Sequence, residues 1–359
     1  MHKRRFIQLA APALLGTLGT LGPRAARAQQ VVKMTVTAGH PPVFAWIRLI
    51  DDFFIPEVEK RVAAIGSPVR FEWTRAYGGT VAKLGAESDA LRTDISDMGM
   101  VAAIFEAGKF PLQQFSLMTP FSTADMRLIN RVALKMNETI PELNQAWTRS
   151  NIVFLGSASI DSYHLFTKFP MTSVDALKGK KILAPGPAAN WVRNTGAVAV
   201  AGNLNTYYND LKSGVADGVI VSLVPAASAK LHEVAPNVVL VNIGAQVTGG
   251  LGVNKRSLER LPAPVQKIFR DVGIAYADEF AKVQMATADK ALADMRAAGA
   301  KIVEFDPAER KRWADALPPL GKEWAADLDA KGLAGSKVLK AYVEGLADEG
   351  VRFPRDWTR

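Results

Sequence analysis

Apolar residues in this chain follow two spacings in turn, and that alternation constrains the fold more than any other feature. Residues 31–38 (VVKMTVTA) are rich in β-branched side chains and read as a strand. Gly39-His40-Pro41-Pro42 breaks it. Over residues 43–64, Phe44, Ile47, Ile50, Phe54, Val58 and Val62 recur at helical spacing, and Pro56 is expected to kink or divide that helix. Residues 69–77 read as a second strand stopped by Gly78-Gly79, residues 81–93 as a helix, and residues 95–104 as a segment holding a third strand that ends near Val101. A β-α-β-α-β order requires crossover connections, and so an open α/β sheet with helices packed on it. The middle of the chain repeats the theme. Strands are expected at 152–157, 163–167, 180–184, 218–221, 238–243 and 250–254, with a helical turn at 174–177 and helices from about 189 and at 205–213. From Ser257 to about Ala347 the pattern is mostly helical. No internal repeat and no low-complexity linker interrupts this order. The expected architecture is two α/β lobes threaded by a chain that crosses between them more than once.

Several chemistries are excluded by residue usage. The 359 residues contain no cysteine, which removes disulfides, thiolate catalysis, iron–sulfur clusters and cysteine-zinc sites. The four histidines, His2, His40, His164 and His232, lie far apart and in no metal-ligand spacing, so no metal site is expected. The net charge of +9 suggests nucleic acid at first sight, but five of the bases and no acid fall in the first 28 residues. The remainder carries +4, and its bases alternate with acids, as between Glu57 and Arg61 and between Glu309 and Arg312. That pattern is a solvated helix face, not a phosphate-binding stripe, so no nucleic-acid partner is expected. There is no G-x-S-x-G elbow and no phosphate-binding glycine loop, and no nucleophile–base–acid arrangement is visible. Neither catalytic residues nor a cofactor are expected.

The first 28 residues read as an export signal. A basic start (residues 1–5) precedes an apolar run (residues 6–22) and Ala26-Arg27-Ala28. The run is shorter than the roughly 20 apolar residues of a bilayer span. Cleavage is expected after Ala28, leaving a soluble mature chain from Gln29 in the periplasm. Arg4-Arg5 ahead of Phe6-Ile7 resembles a twin-arginine signal.

Five segments of the mature chain together resemble one family. Residues 84–101 (LGAESDALRTDISDMGMV) resemble a helix and strand around L-x-x-G-x-x-D-x-G, here Leu91 to Gly99 with Ser96 at one loop position. Leu177-Lys178-Gly179-Lys180-Lys181-Ile182 resembles L-K-G-x-K-I. Residues 208–218 (YNDLKSGVADG) resemble Y-x-A-L-x-x-G-x-x-D-G, residues 253–262 (VNKRSLERLP) resemble V-N-x-x-x-x-x-x-L-P, and residues 292–304 (LADMRAAGAKIVE) resemble a late helix and strand. In that order, behind an export signal, they resemble the solute-binding proteins of tripartite ATP-independent periplasmic (TRAP) transporters, of the dicarboxylate-binding type. The resemblance implies a type II-like, two-lobed periplasmic binding protein. It implies hinge crossings near residues 157–161 and 246–250 and a long bracing helix near residues 257–290. The first lobe is expected from 29–159 and 248–285, the second from 160–247, and a C-terminal helical segment, 286–359, packs on both. A small organic solute and the small and large integral-membrane components of such a transporter are the implied partners. An enzyme on the same fold, or the binding subunit of a sensor or an ATP-driven importer, is the alternative.

The resemblance also assigns cleft positions, and the chain departs from the family at several. Where carboxylate-binding members place an arginine after L-K-G-x-K-I, a guanidinium fork able to clamp a carboxylate, this chain has Leu183. A second basic position falls near Tyr163 and His164. The asparagine after the D-G turn falls at Val221, with Ser222 next, and an acid from the first lobe falls at Val101. Tyr208 falls where a helix residue faces the cleft, or is a core or hinge tyrosine. His40 falls where the first strand meets the cleft. A bound carboxylate would need another base, for which Arg193, three residues after Asn190, and Arg75 are the candidates, unless both are surface residues. Trp46 and Trp191 are candidates for the cleft wall or for the core. The expected pocket is thus less charged and more apolar than the family norm, and selects an apolar or aromatic body by burial.

Overall fold

The computed structural model of the protein describes residues 30–359. The expected export signal lies outside the described residues. Eleven strands are present among them: β1 (Gln30–Ala38), β2 (Val69–Ala76), β3 (Met98–Val101), β4 (Ile152–Ile160), β5 (Tyr163–Thr167), β6 (Lys181–Ala184), β7 (Val198–Ala201), β8 (Gly218–Ser222), β9 (Asn237–Leu240), β10 (Gln246–Asn254) and β11 (Lys301–Glu304). They form two sheets, one ordered β2-β1-β3-β10-β4 and one ordered β11-β9-β5-β8-β6-β7. In the first, β1 pairs with β2 and β3 in parallel, as the β-α-β-α-β pattern requires. The chain leaves that sheet at the end of β4 and enters the second after only Asp161 and Ser162. It returns through residues 241–245, so the crossings sit within a few residues of where they were expected. The first strand after each crossing, β5 or β10, runs antiparallel to both of its neighbours. Gln246 pairs with Ile160, which places the two crossing segments side by side as a hinge.

A third connection is the 35-residue helix Ala263–Ala297. It lies against β4 of the first lobe and the short helix Leu223–Ser228 of the second. Its Met295 is buried in the second lobe's core beside Leu183 and Leu211. β11 follows and pairs in parallel with β9, so the second sheet draws a strand from beyond the expected 160–247 boundary. The same segment therefore is not wholly helical. The apolar pair Ile302 and Val303 completes the sheet where β9 would otherwise be an open edge.

Local differences from the sequence reading have identifiable causes. The helix containing Pro56 is neither divided nor ended. A π-helical turn, Ile50–Phe54, lies between the helices Ala45–Leu49 and Ile55–Ala64, and Pro56 sits in the first turn of the latter, where a missing N–H costs least. The expected helix at 81–93 shrinks to Glu87–Arg92, because the preceding backbone is diverted by Gly85 (φ 84°) and held by the Glu87 carboxylate. Asp94 stands at the glycine position of L-x-x-G-x-x-D-x-G and keeps glycine's left-handed conformation, φ 60°. Its carboxylate accepts the Asn254 amide at 2.6 Å and pairs with Arg256 at 2.7 Å. The helices Met126–Thr139 and Pro141–Arg149 fall in a stretch for which no helix was expected. Both pack on β4, and the first also packs on the C-terminal helix Gly335–Asp348.

Candidate functional site

The C-terminal ends of β1, β3, β6 and β8 converge where the sheets face each other across the hinge, the usual location of ligands in open α/β sheets. A cavity lies there, lined from both lobes. His40, Trp46, Val101, Phe105, Ile160 and Thr248 line it from the first lobe, and Tyr163, Pro185, Tyr207, Ile220, Val221 and Ser222 from the second. No lysine or arginine is among the lining residues. Among the described residues no group of three or more histidines, aspartates or glutamates could hold a metal ion.

His40 follows β1 in a loop fixed from behind. The Glu87 carboxylate accepts the backbone N–H of Gly39 at 3.1 Å and of Gly85 at 2.8 Å. Burial raises the pKa of Glu87, and the nearby Glu106 carboxylate raises it further. Glu106 in turn accepts the amide of Ser88 at 3.1 Å and the Lys109 ammonium at 2.9 Å. In front, the His40 ring meets Phe44 and Trp46 edge-on, with centroids at 5.6 and 5.5 Å, and Trp46 stacks flat on Phe44 at 4.7 Å. Burial pushes His40 down to about 4, so the ring is neutral near pH 7. Its Nε2 is buried and has no hydrogen-bond partner.

On the opposite wall Tyr163 opens β5 and lies edge-on to Trp191 at 5.3 Å. The Trp191 indole donates to the carbonyl of Leu117 at 2.7 Å, which fixes the pair. Burial, with Asp161 adding to it, holds the Tyr163 phenol protonated. Asp161 occupies the first crossing. Its carboxylate accepts from Gln284 of the long helix at 2.7 Å and from the backbone of Val224 at 3.4 Å, and burial raises its pKa. The Ser222 hydroxyl is buried beside this carboxyl and makes no hydrogen bond of ordinary geometry.

Of the thirteen positions singled out from the sequence, the structure brings His40, Trp46, Val101, Tyr163, Val221 and Ser222 to the cavity. The other seven lie elsewhere. His164 follows Tyr163 on the strand, so alternation turns it to the other face, where Nδ1 accepts the backbone N–H of Asn242 at 3.4 Å. Leu183 is wholly buried in the second lobe's core with Phe166 and Val219. The Asn190 amide turns back to the carbonyl of Pro187 at 2.9 Å within a 3₁₀ helix. Arg193 pairs with Glu323 at 2.7 Å, and Arg75 with Asp51 at 2.9 Å, both at the surface. Tyr208 is turned outward and donates to Glu233 at 3.0 Å, while its neighbour Tyr207 faces the cavity and donates to the carbonyl of Gly202 at 3.1 Å. One residue is about 100° of helix rotation, enough to exchange the two. Trp46 lines the cavity and Trp191 is core. Phe105 and Tyr207 were missed. Phe105 carried no periodic signal, whereas Tyr207 was within one residue of a recognised motif.

Solved structures with the same fold include a TRAP solute-binding protein from Rhodoferax ferrireducens in complex with copurified benzoate. It is 17% identical, with 89% of this chain and 98% of that one covered and a TM-score of 0.78. A marine metagenome TRAP solute-binding protein, specific for aromatic acid ligands and bound to 3-hydroxybenzoate, is 19% identical over 89% and 99% of the two chains, with a TM-score of 0.76. An extracytoplasmic solute receptor from Bordetella pertussis that binds pyroglutamic acid is 18% identical over 87% and 99%, with a TM-score of 0.74. No curated protein matches the chain significantly. The family model for bacterial extracellular solute-binding proteins of family 7 (DctP) matches residues 78–327, which run from the loop after β2 through both crossings and the bracing helix to the C-terminal helices. The chain therefore belongs to the family 7 bacterial extracellular solute-binding proteins.

Proposed function

We propose that this protein is exported to the periplasm under the residue 1–28 signal, captures a small organic solute with an apolar or aromatic body, and delivers it to the membrane components of a TRAP-type secondary transporter. The observation that carries the solute class is the composition of the cavity: indole, phenyl and phenol rings from both lobes, and no cation. Aromatic walls bury a planar body over a large area, and each Å² of apolar surface removed from water is worth roughly 25 cal/mol. Structures of the same fold hold benzoate or 3-hydroxybenzoate, so the scaffold accommodates such bodies. Capture without chemistry suits a site in which the titratable side chains that line the cavity, His40, Tyr163 and Tyr207, are held in their neutral forms. Calorimetry and thermal shift on the mature protein test the reading. Aromatic and branched compounds should include ligands that raise the melting temperature, whereas succinate and malate should bind weakly or not at all. Sub-micromolar succinate binding would contradict it.

A further inference from the structure

We propose that the cavity takes its solute as an electrically neutral molecule, a planar or cyclic compound bearing an N–H or O–H donor, and rejects the carboxylate anion of the same body. This deepens the reading above and rests on the cavity being the solute site.

The first argument is charge. A carboxylate moved from water into a closed cavity needs a cation or several N–H donors, because a buried unpaired charge is strongly disfavoured. The lining supplies no lysine or arginine. Arg75 and Arg193 are paired with Asp51 and Glu323, and Arg310 is spent on the carbonyls of Phe121 and Asn242. His40 is the one lining residue able to become cationic, and it is packed among the rings of Phe44, Trp46 and Phe105, surroundings that disfavour its charged form. The buried acid next to the cavity, Asp161, repels an anion whenever it is ionised.

The second argument is the polarity of the free hydrogen-bonding atoms. One buried polar atom without a partner comes from each lobe: Nε2 of His40, which is 7% exposed, and Oγ of Ser222, which is 1% exposed. The Ser222 proton has a ready acceptor in Asp161 beside it, which leaves its oxygen as an acceptor toward the cavity. That oxygen makes an acceptor wall beside the Tyr163 O–H and the one N–H of the neutral His40 ring; it calls for a ligand donor, which an ionised carboxylate, acceptor-only, lacks. An amide, lactam, phenol or alcohol offers the donor that a carboxylate lacks. Satisfying atoms of both lobes at once also ties recognition to closure of the lobes.

The test uses the mature protein and matched pairs that share a body: benzamide with benzoate, cinnamamide with cinnamate, and indole-3-acetamide with indole-3-acetate, titrated by calorimetry at pH 7.5. The amide should bind at least about tenfold tighter in every pair that binds, the scale of one unmet polar group. A carboxylate that equals or exceeds its amide overturns the neutral-ligand inference and leaves the aromatic-solute reading standing. Failure of all six compounds to bind overturns that reading, and this inference with it. Ser222→Ala should weaken the best amide about fivefold or more and leave its carboxylate unchanged. Asp161→Asn is the second variant: its carbonyl still accepts from Val224, and its amide donates to Gln284 Oε1, which has no partner in the native protein. It should narrow the amide-to-carboxylate ratio at least about threefold. A ratio unchanged in both variants overturns the acceptor-wall argument.

Discussion

At the scale of single residues, burial decides which groups titrate and in which direction stability follows pH. His164 lies inside the second lobe, and burial pushes it down to about 3. Unfolding returns it to its ordinary value near 6.5. Between those values the unfolded chain binds more protons than the folded one, so stability falls as pH falls. His40, at about 4, acts the same way over a narrower window. Glu87 works in the opposite sense: its raised pKa lets the folded protein hold a proton that the unfolded chain gives up, so its contribution is lost as pH rises. Replacing His164 leaves Glu87 in place, and the comparison isolates the histidine. For His164→Gln, the loss of stability between pH 6.5 and 4 should be shallower than in the parent by up to about 1.4 kcal/mol per pH unit. Urea unfolding at pH 7, 6, 5 and 4 checks this, and parallel curves would contradict it. The residue scale is also where position along the chain misleads most. Leu183 and Tyr208 were placed in the cleft by motif register, yet Leu183 is buried in the core and Tyr208 turns outward, and Tyr207 takes the cleft position.

The long helix is the element that couples the lobes, and its contact with β4 depends on two glycines. Gly156 of β4 faces the carbonyl of Gly273 so closely that a side chain there would overlap it. A methyl group at Gly273 would fall 2.5 Å from Cβ of Leu155 and 2.6 Å from its carbonyl oxygen. Two effects therefore compete in Gly273→Ala. Alanine favours the helix by about 1 kcal/mol, whereas overpacking against a strand backbone costs about 1–3 kcal/mol. The clash involves backbone atoms that have little room to yield, so overpacking wins. The variant should be destabilised by up to about 2 kcal/mol, read as a lower urea midpoint with an unchanged slope. An equal or higher midpoint would show that the helix is free to shift on β4.

The whole molecule is drawn with its lobes in contact. The Asn205 amide of the second lobe donates to the Gly39 carbonyl of the first at 3.3 Å, next to His40. Gly186, just after β6, lies against the carbonyl of Ile104. Contacts of this kind bridge the two lobes, and opening of the cleft would remove them without loss to either lobe's own core. Asn205→Ala should accordingly weaken solute binding about two- to tenfold, mainly by faster release, and change the melting temperature of the unliganded protein little. Stopped-flow tryptophan fluorescence together with a melting scan separates these effects. A large fall in melting temperature would show that the contact supports the fold instead of closure.

The order and type of most strands followed from the sequence, because alternation and β-branched runs record burial that is local to each strand. β5 and the turn at Val174–Leu177 appear at the expected residues, and the motifs supplied the two-lobed plan. A less charged, more apolar pocket was expected through Leu183, although that residue lies in the core and the cavity is apolar through other side chains. What the tertiary structure decided is which face each element turns to the cavity. That choice depends on strand pairings and helix rotations set by contacts between residues far apart in the chain, such as Gln246 with Ile160 and Gln284 with Asp161. The orphaned atoms of His40 and Ser222 belong to this second class. Whether a polar atom finds a partner is a property of the assembled lobes, and no spacing along the chain encodes it.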